Sequence, residues 1–192
     1  MSTLEDSDLI SAFDQIPCGL FLLTSAHEGL RSGVLARWVQ QCSLNPPLVM
    51  VALPKGSPVE PLIRDSHSFA LCQISDGDRF LTRKFSIMPD RSEDPFDTLS
   101  TFPAPSGSPV VRRAMSYLDC EVVRHVELES DCRLYVGEVR DGRQLSDGKP
   151  VIHLGGNGRI DELLVQEAEQ TSEQDHADPG TDTEGKAGDS AA

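Results

Sequence analysis

Lys55, Gly56 and Ser57 stand directly before Pro58, Val59 and Glu60, so a positive charge, a flexible residue and a hydroxyl share one turn of chain. Ser at an N-cap, Pro at the first helical position and Glu three residues after the cap form a capping box, which predicts a helix from Pro58 to Asp65. The free N–H groups and dipole of such a helix start hold anions, a terminal phosphate among them. An ordinary capped surface helix has the same spacing. Arg83 and Lys84 end a second predicted helix, Asp78 to Ser86, where they either neutralise a phosphate or complement the helix dipole.

Other chemistry is poorly represented. There is no nucleophile elbow, Walker loop, GxGxxG or HExxH. Gly155-Gly156-Asn157-Gly158 follows a predicted strand but opens no helix, and reads as a turn. His27 and His67 read as surface or loop residues. The five cysteines (Cys18, Cys42, Cys72, Cys120, Cys132) are odd in number and contain no CxxC, so reduced and mostly buried thiols are expected, with no metal site.

The elements that must position these residues are short. Ser7 to Phe13 predicts a capped helix with Leu9, Ile10 and Phe13 toward the core, stopped before Pro17. Gly19 to Ser25 and Ser32 to Ser43 read as strands around a turn at His27-Glu28-Gly29. Further strands are expected at Leu48–Leu53, Phe69–Ile74, Tyr117–Leu128, Cys132–Arg140 and Val151–Leu154. Between them, Met88 to Pro109 is rich in Pro, Ser and Asp and reads as one long irregular loop. Six or seven short strands with two or three helices predict a mainly β fold with short helices, closed or partly closed into a barrel that protects its edges.

The chain has 192 residues, 38% of them hydrophobic, enough for one core. Its net charge of −14 argues against nucleic acid and anionic membranes, both of which are met by basic patches. The acidic opening MSTLEDSDLI lacks a secretory pattern, and no apolar stretch approaches the roughly 20 residues of a membrane span, so a cytoplasmic location is expected. Residues 166–192 carry eight acids and one Lys, half the net charge, with no aromatic residue. That composition predicts a domain over 1–165 followed by an acidic disordered tail, with His176 solvated.

The run Gly33-Val34-Leu35-Ala36-Arg37-Trp38-Val39-Gln40-Gln41-Cys42-Ser43-Leu44-Asn45-Pro46-Pro47 resembles the flavin reductase-like family, in which small residues lead to Trp, then Ser, then Pro-Pro and a hydrophobic strand. The similarity continues through Lys55–Ser57, Phe69–Cys72, Arg83–Ser86, Tyr117–Val122 and Leu134–Val139. It implies an FMN-binding split β-barrel, usually a homodimer, that binds FMN or less often FAD. Val34, Leu35, Ala36, Arg37 and Trp38 would line the flavin, Ser43 would touch its polar part, and Lys55, Gly56 and Ser57 would meet the phosphate. Cys72 stands where relatives often have an Asn and would make a poorer hydrogen bond to the flavin edge or backbone, and Arg83 is a further phosphate candidate.

Such a protein is an NAD(P)H:flavin reductase or a flavoredoxin-like electron carrier, with an oxygenase or other redox protein as partner. Hydride chemistry then resides in the flavin, which explains the missing catalytic side chains. Leu35 and Arg37 replace common hydroxyl residues, although Arg37 could pair with the phosphate. Cys132 replaces the His that relatives place at the nicotinamide. These departures motivate an alternative, a flavin-fold binding or interaction module without NAD(P)H chemistry.

Overall fold

The computed structural model describes residues 7–87 and 94–153. In chain order the elements are α1 (Ser7–Phe13), β1 (Cys18–Gly19), β2 (Phe21–His27), β3 (Leu30–Ala36), β4 (Val39–Leu44) and β5 (Pro47–Pro54). Then come α2 (Glu60–Ser66), β6 (Ser68–Gln73), α3 (Arg79–Ser86), β7 (Thr101–Pro103), β8 (Pro109–Val111), β9 (Ser116–Glu127), β10 (Cys132–Gln144) and β11 (Ile152–His153). The predicted Gly155–Gly158 turn and acidic tail lie outside the described residues.

Seven strands form one antiparallel sheet in the order β3-β2-β6-β9-β10-β5-β4. Its two outermost strands, β3 and β4, are consecutive in the chain and joined only by Arg37 and Trp38. The Trp38 carbonyl accepts from the Ala52 N–H at 3.0 Å, tying that join to β5. Ser32 to Ser43 is therefore not one strand: the chain leaves one end of the sheet and enters the other, which makes the split barrel.

The alternation of β3 feeds two cores. Val34 and Ala36 pack with Leu23, Val51, Leu53 and Phe69, and α2 covers this core through Val59 and Ile63. Leu35 points the other way, to Leu22, Cys72 and Tyr117, a core closed by Leu81 and Phe85 of α3 and by Phe96. Burying one large aliphatic side chain in either contributes about 1.5–3 kcal/mol. Gly137 of β10 has no room for a side chain, since a Cβ there would lie 2.7 Å from the Phe69 ring and 2.9 Å from the Cys120 Cβ.

Three further expectations are corrected. α1 forms where predicted, but Leu9 and Phe13 are 52% and 61% exposed, so the described part of its apolar face does not reach the core. The stretch predicted as an irregular loop contains the β7–β8 hairpin, with Phe102 paired to Val110 and Phe96 buried. Helix α2 starts at Glu60, because Ser57 does not cap it.

Candidate functional site

The site predicted at the start of α2 is built from a network of opposite charges. The Ser57 hydroxyl donates to the Pro54 carbonyl at 2.7 Å and not to the helix. The Gly56 N–H, at φ +87°, donates to Glu60 Oε2 at 2.8 Å, so the carboxylate of the predicted box reaches back to the turn without its Ser counterpart. Glu60 Oε1 accepts from Arg133 Nη1 at 2.8 Å and from the Tyr135 hydroxyl at 3.0 Å. Arg133 Nε also donates to Glu127 Oε2 at 2.6 Å, and Lys55 Nζ pairs with Glu127 Oε1 at 2.8 Å and donates to the Leu128 carbonyl at 2.8 Å.

Electrostatics follow from that chain of contacts. Arg133 first and Lys55 second hold the Glu127 carboxyl down at about 2. The Arg133 guanidinium is driven further into its charged form, first by Glu127. Burial raises the Tyr135 hydroxyl, which keeps its proton and donates it to Glu60. Lys55, Glu127, Arg133 and Glu60 cancel formally, so the turn carries no surplus positive charge while Glu127 stays in place. A cleft of about 410 Å³ opens beside this network, lined by Gly56, Ser57, Glu60, His67, Arg133 and Tyr135 among others. The capping pattern pointed to Glu60. Arg133 and Tyr135 were missed, although their i, i+2 spacing on a strand was the available signal.

The other candidates are divided by the pleat. Val34 and Ala36 are buried on one face of β3 and Leu35 on the other, so these three reach a ligand only through their backbone. Cys72 is fully buried beside Leu22 and Tyr117, and burial pushes its thiol up to about 12. It presents no surface for a flavin edge. Arg37 is buried at the β3–β4 join, Trp38 beside it is half-buried, and Ser43 is half-buried on the otherwise largely exposed β4. Ser43 pairs with Leu48 near the start of β5, whereas Lys55 follows its end, so the two lie toward opposite ends of that strand. Arg83 is exposed on α3. Cys132 opens β10 with its thiol pushed up to about 11, by burial first and by Asp131 second. All five cysteines are free, and no group of three metal-ligating side chains occurs among the described residues.

A sheet order in which β3 and β4 are the two ends of one strand path defines a split barrel, and comparison with known proteins gives the class. The family model described as flavin reductase like domain matches residues 13–160, and the chain belongs to that family. It is 33% identical over 150 residues to diflavin flavoprotein A 1 of Synechocystis sp., covering 77% of this chain and 26% of that protein. Against putative diflavin flavoprotein A 6 of Nostoc sp. the identity is 32%, over 77% of this chain and 26% of that one. The chain thus spans about a quarter of the length of these curated relatives.

Solved structures agree on the fold. The NADH:FAD oxidoreductase SgcE6 of Streptomyces globisporus superposes with a TM-score of 0.72 at 24% identity, over 82% of this chain and 94% of that one. Flavin reductase PheA2 gives 0.67 at 23% identity, over 80% and 96%. No helix among the described residues is long and apolar enough to cross a membrane.

Proposed function

We propose that this chain is a flavin-binding oxidoreductase of the NAD(P)H:flavin reductase type, binding FMN or FAD as a cytoplasmic homodimer and passing electrons to an oxygenase or another redox partner. The observation that carries the reading is the family match over residues 13–160, which contains every candidate contact from Val34 to Arg83. The residues fit a flavin in part. Trp38 and Ser43 remain partly accessible around the open edge of the barrel, and Lys55 is 35% exposed and tied to a Glu127 that is itself 55% exposed. An exposed ion pair exchanges its partner at small cost, so Lys55 can leave Glu127 for a phosphate. Gly56 and Ser57 have spent their donors inside the turn, which leaves the phosphate contact of this segment to Lys55.

A bound flavin would supply the hydride-accepting ring. The chain's part is then to orient and to exclude water: the backbone from Val34 to Trp38 borders the ring, Trp38 shields it, and Lys55 fixes the phosphate end. Cys132 holds its proton at neutral pH and is assigned no acid or base role.

The test is direct. Purified protein should be yellow, or FMN added to colourless protein should quench Trp38, the sole Trp. Absence of both would overturn the reading. Anaerobic NADH or NADPH should then bleach the bound flavin. A flavin that binds and does not bleach would favour the second reading, a carrier or binding module, for which the buried thiol of Cys132 at the expected nicotinamide position is the specific observation.

A further inference from the structure

Helix α3 buries Leu81 and Phe85 and turns Arg79, Phe80, Arg83, Lys84 and the adjoining Ile87 outward. Phe80 is 48% exposed and Ile87 74%. Arg113 lies beside this face, its guanidinium 4.9 Å from the Phe80 ring centre and 2.6 Å from Asp78 Oδ2. Arg79, Arg83 and Lys84 have no ion pair among the described residues; Arg112, Arg124, Arg143 and Lys149 share that lack, but only on α3 do three such cations fall on one short helix. On a chain of net charge −14, a face that pairs two exposed apolar side chains with three cations unpaired among the described residues fits an acidic, partly apolar occupant.

The chain carries such a segment a few residues beyond the last described strand. Residues 160–169, IDELLVQEAE, combine Ile160, Leu163, Leu164 and Val165 with Asp161, Glu162, Glu167 and Glu169. The Asp76 N–H donates to the Lys149 carbonyl at 2.7 Å and the Val151 N–H to the Ile74 carbonyl at 3.2 Å, so the chain passes the residues that lead into α3 before it reaches His153, opposite Cys18. Seven residues from His153 to Ile160 span up to about 24 Å, while the eight residues of α3 are about 12 Å long. Tethering also raises the local concentration of the segment to about the millimolar range, enough for a modest contact to persist.

We propose that the outer face of α3 is the docking surface for residues 160–169 of the same chain, with Asp161, Glu162, Glu167 and Glu169 meeting Arg79, Arg83 and Lys84, and with Leu163 and Leu164 covering Phe80 and Ile87. The inference does not depend on flavin binding. In the docked state Arg83 is screened from external anions, and the family domain ends by covering its own helix.

Zero-length carbodiimide coupling of the full chain, followed by peptide mass spectrometry, tests it. Lys84 Nζ should form an amide with one of those four carboxylates, within a single chain in a mixture of isotopically light and heavy protein. The yield should fall at least about fivefold between low salt and 0.5 M salt, where screening is nearly complete. It should fall about tenfold in Leu163→Ser/Leu164→Ser, which removes apolar burial and no charge. Acetylation of Lys84 should speed up in the same variant. Coupling only between chains would assign the face to a second copy and overturn the proposal. So would coupling of Lys84 to other carboxylates, or Lys84 that acetylates equally fast in both proteins and couples to none of the four.

Discussion

Replacing Glu60 by Ala removes an acceptor that is 8% exposed in its side chain and serves three donors: the Gly56 N–H, Arg133 Nη1 and the Tyr135 hydroxyl. Breaking a buried ion pair costs about 3–5 kcal/mol when the surviving charge is stranded. Arg133 is not stranded, because it is 29% exposed and keeps Glu127 at 2.6 Å. The Tyr135 hydroxyl has no such retreat, since the residue is only 5% exposed. An orphaned buried donor costs about 1–3 kcal/mol. The lost packing of the Glu60 stem adds to this, and about 3 kcal/mol is expected for Glu60→Ala.

Glu60→Gln keeps one acceptor but turns an amide N–H₂ toward existing donors, for about 1.5 kcal/mol. At about 2–4 °C per kcal/mol for a domain of this size, the Ala variant should melt about 6–12 °C lower. Urea unfolding at pH 7 reads both, as a lowered midpoint with an unchanged slope. Adding Tyr135→Phe to Glu60→Ala should cost less than Tyr135→Phe alone, because the hydroxyl has already lost its acceptor. A Glu60→Ala loss below about 1 kcal/mol, or full additivity in the double variant, would refute the claim that this carboxylate organises the turn.

Gly137→Ala should cost about 2 kcal/mol in the same assay, since its Cβ would sit 2.7 Å from the Phe69 ring inside a packed core; a neutral outcome would mean that the ring moves aside freely. Burial pushes the Cys72 and Cys120 thiols from 9.0 up to about 12, so above pH 9 the unfolded chain releases protons that the folded chain keeps. Stability should therefore be intact below pH 9 and fall toward pH 12 by up to about 1.4 kcal/mol per pH unit for each thiol, and urea midpoints that stay level from pH 8 to 11 would contradict it. Lys55→Glu should weaken FMN far more than riboflavin, which lacks the phosphate, and Glu127→Gln should tighten FMN alone by freeing Lys55. Fluorescence titration of Trp38 reads both, and equal effects on the two flavins would move the phosphate elsewhere. A thiol reagent at pH 8 should find Cys42 quickly and Cys72, Cys120 and Cys132 only after unfolding.

The strands were readable because their pattern is local. Phe69 to Ile74, Tyr117 to Leu128 and Cys132 to Arg140 alternate or run apolar over strand lengths, and all three lie in strands of the central sheet, though Ile74 and Leu128 fall just past the ends of β6 and β9. Local pattern also misled where a local rule had a non-local competitor. Ser57 has the right neighbours for a cap, yet its hydroxyl finds the Pro54 carbonyl, and Glu60 accepts from Arg133 and Tyr135 on a strand more than seventy residues away. Spacing within one turn carries no information about that strand. The amphipathic pattern of α1 fixed a helix, but with Leu9 and Phe13 exposed it did not fix what the helix covers.

The same logic explains why residues 33–43 carry a family motif whose geometry differs from the one strand that their local pattern predicts. Ser32 to Ser43 reads as one strand because no Pro breaks the run and Val34, Leu35, Trp38 and Val39 suit a pleated, half-buried surface. What splits it is the closure of the sheet. Once β2 has paired with β3 and β5 with β4, Arg37 and Trp38 must carry the chain from one end of the seven-stranded order to the other, and the Trp38 carbonyl is bound by Ala52 instead of by a ladder partner in β2. A family resemblance at these positions therefore reports a constraint of closure, separate from any cofactor contact. This is why Val34, Leu35 and Ala36 can match the family pattern while their side chains serve the two cores, and why Trp38, Ser43 and Lys55 are the positions at which flavin contact can be tested apart from folding.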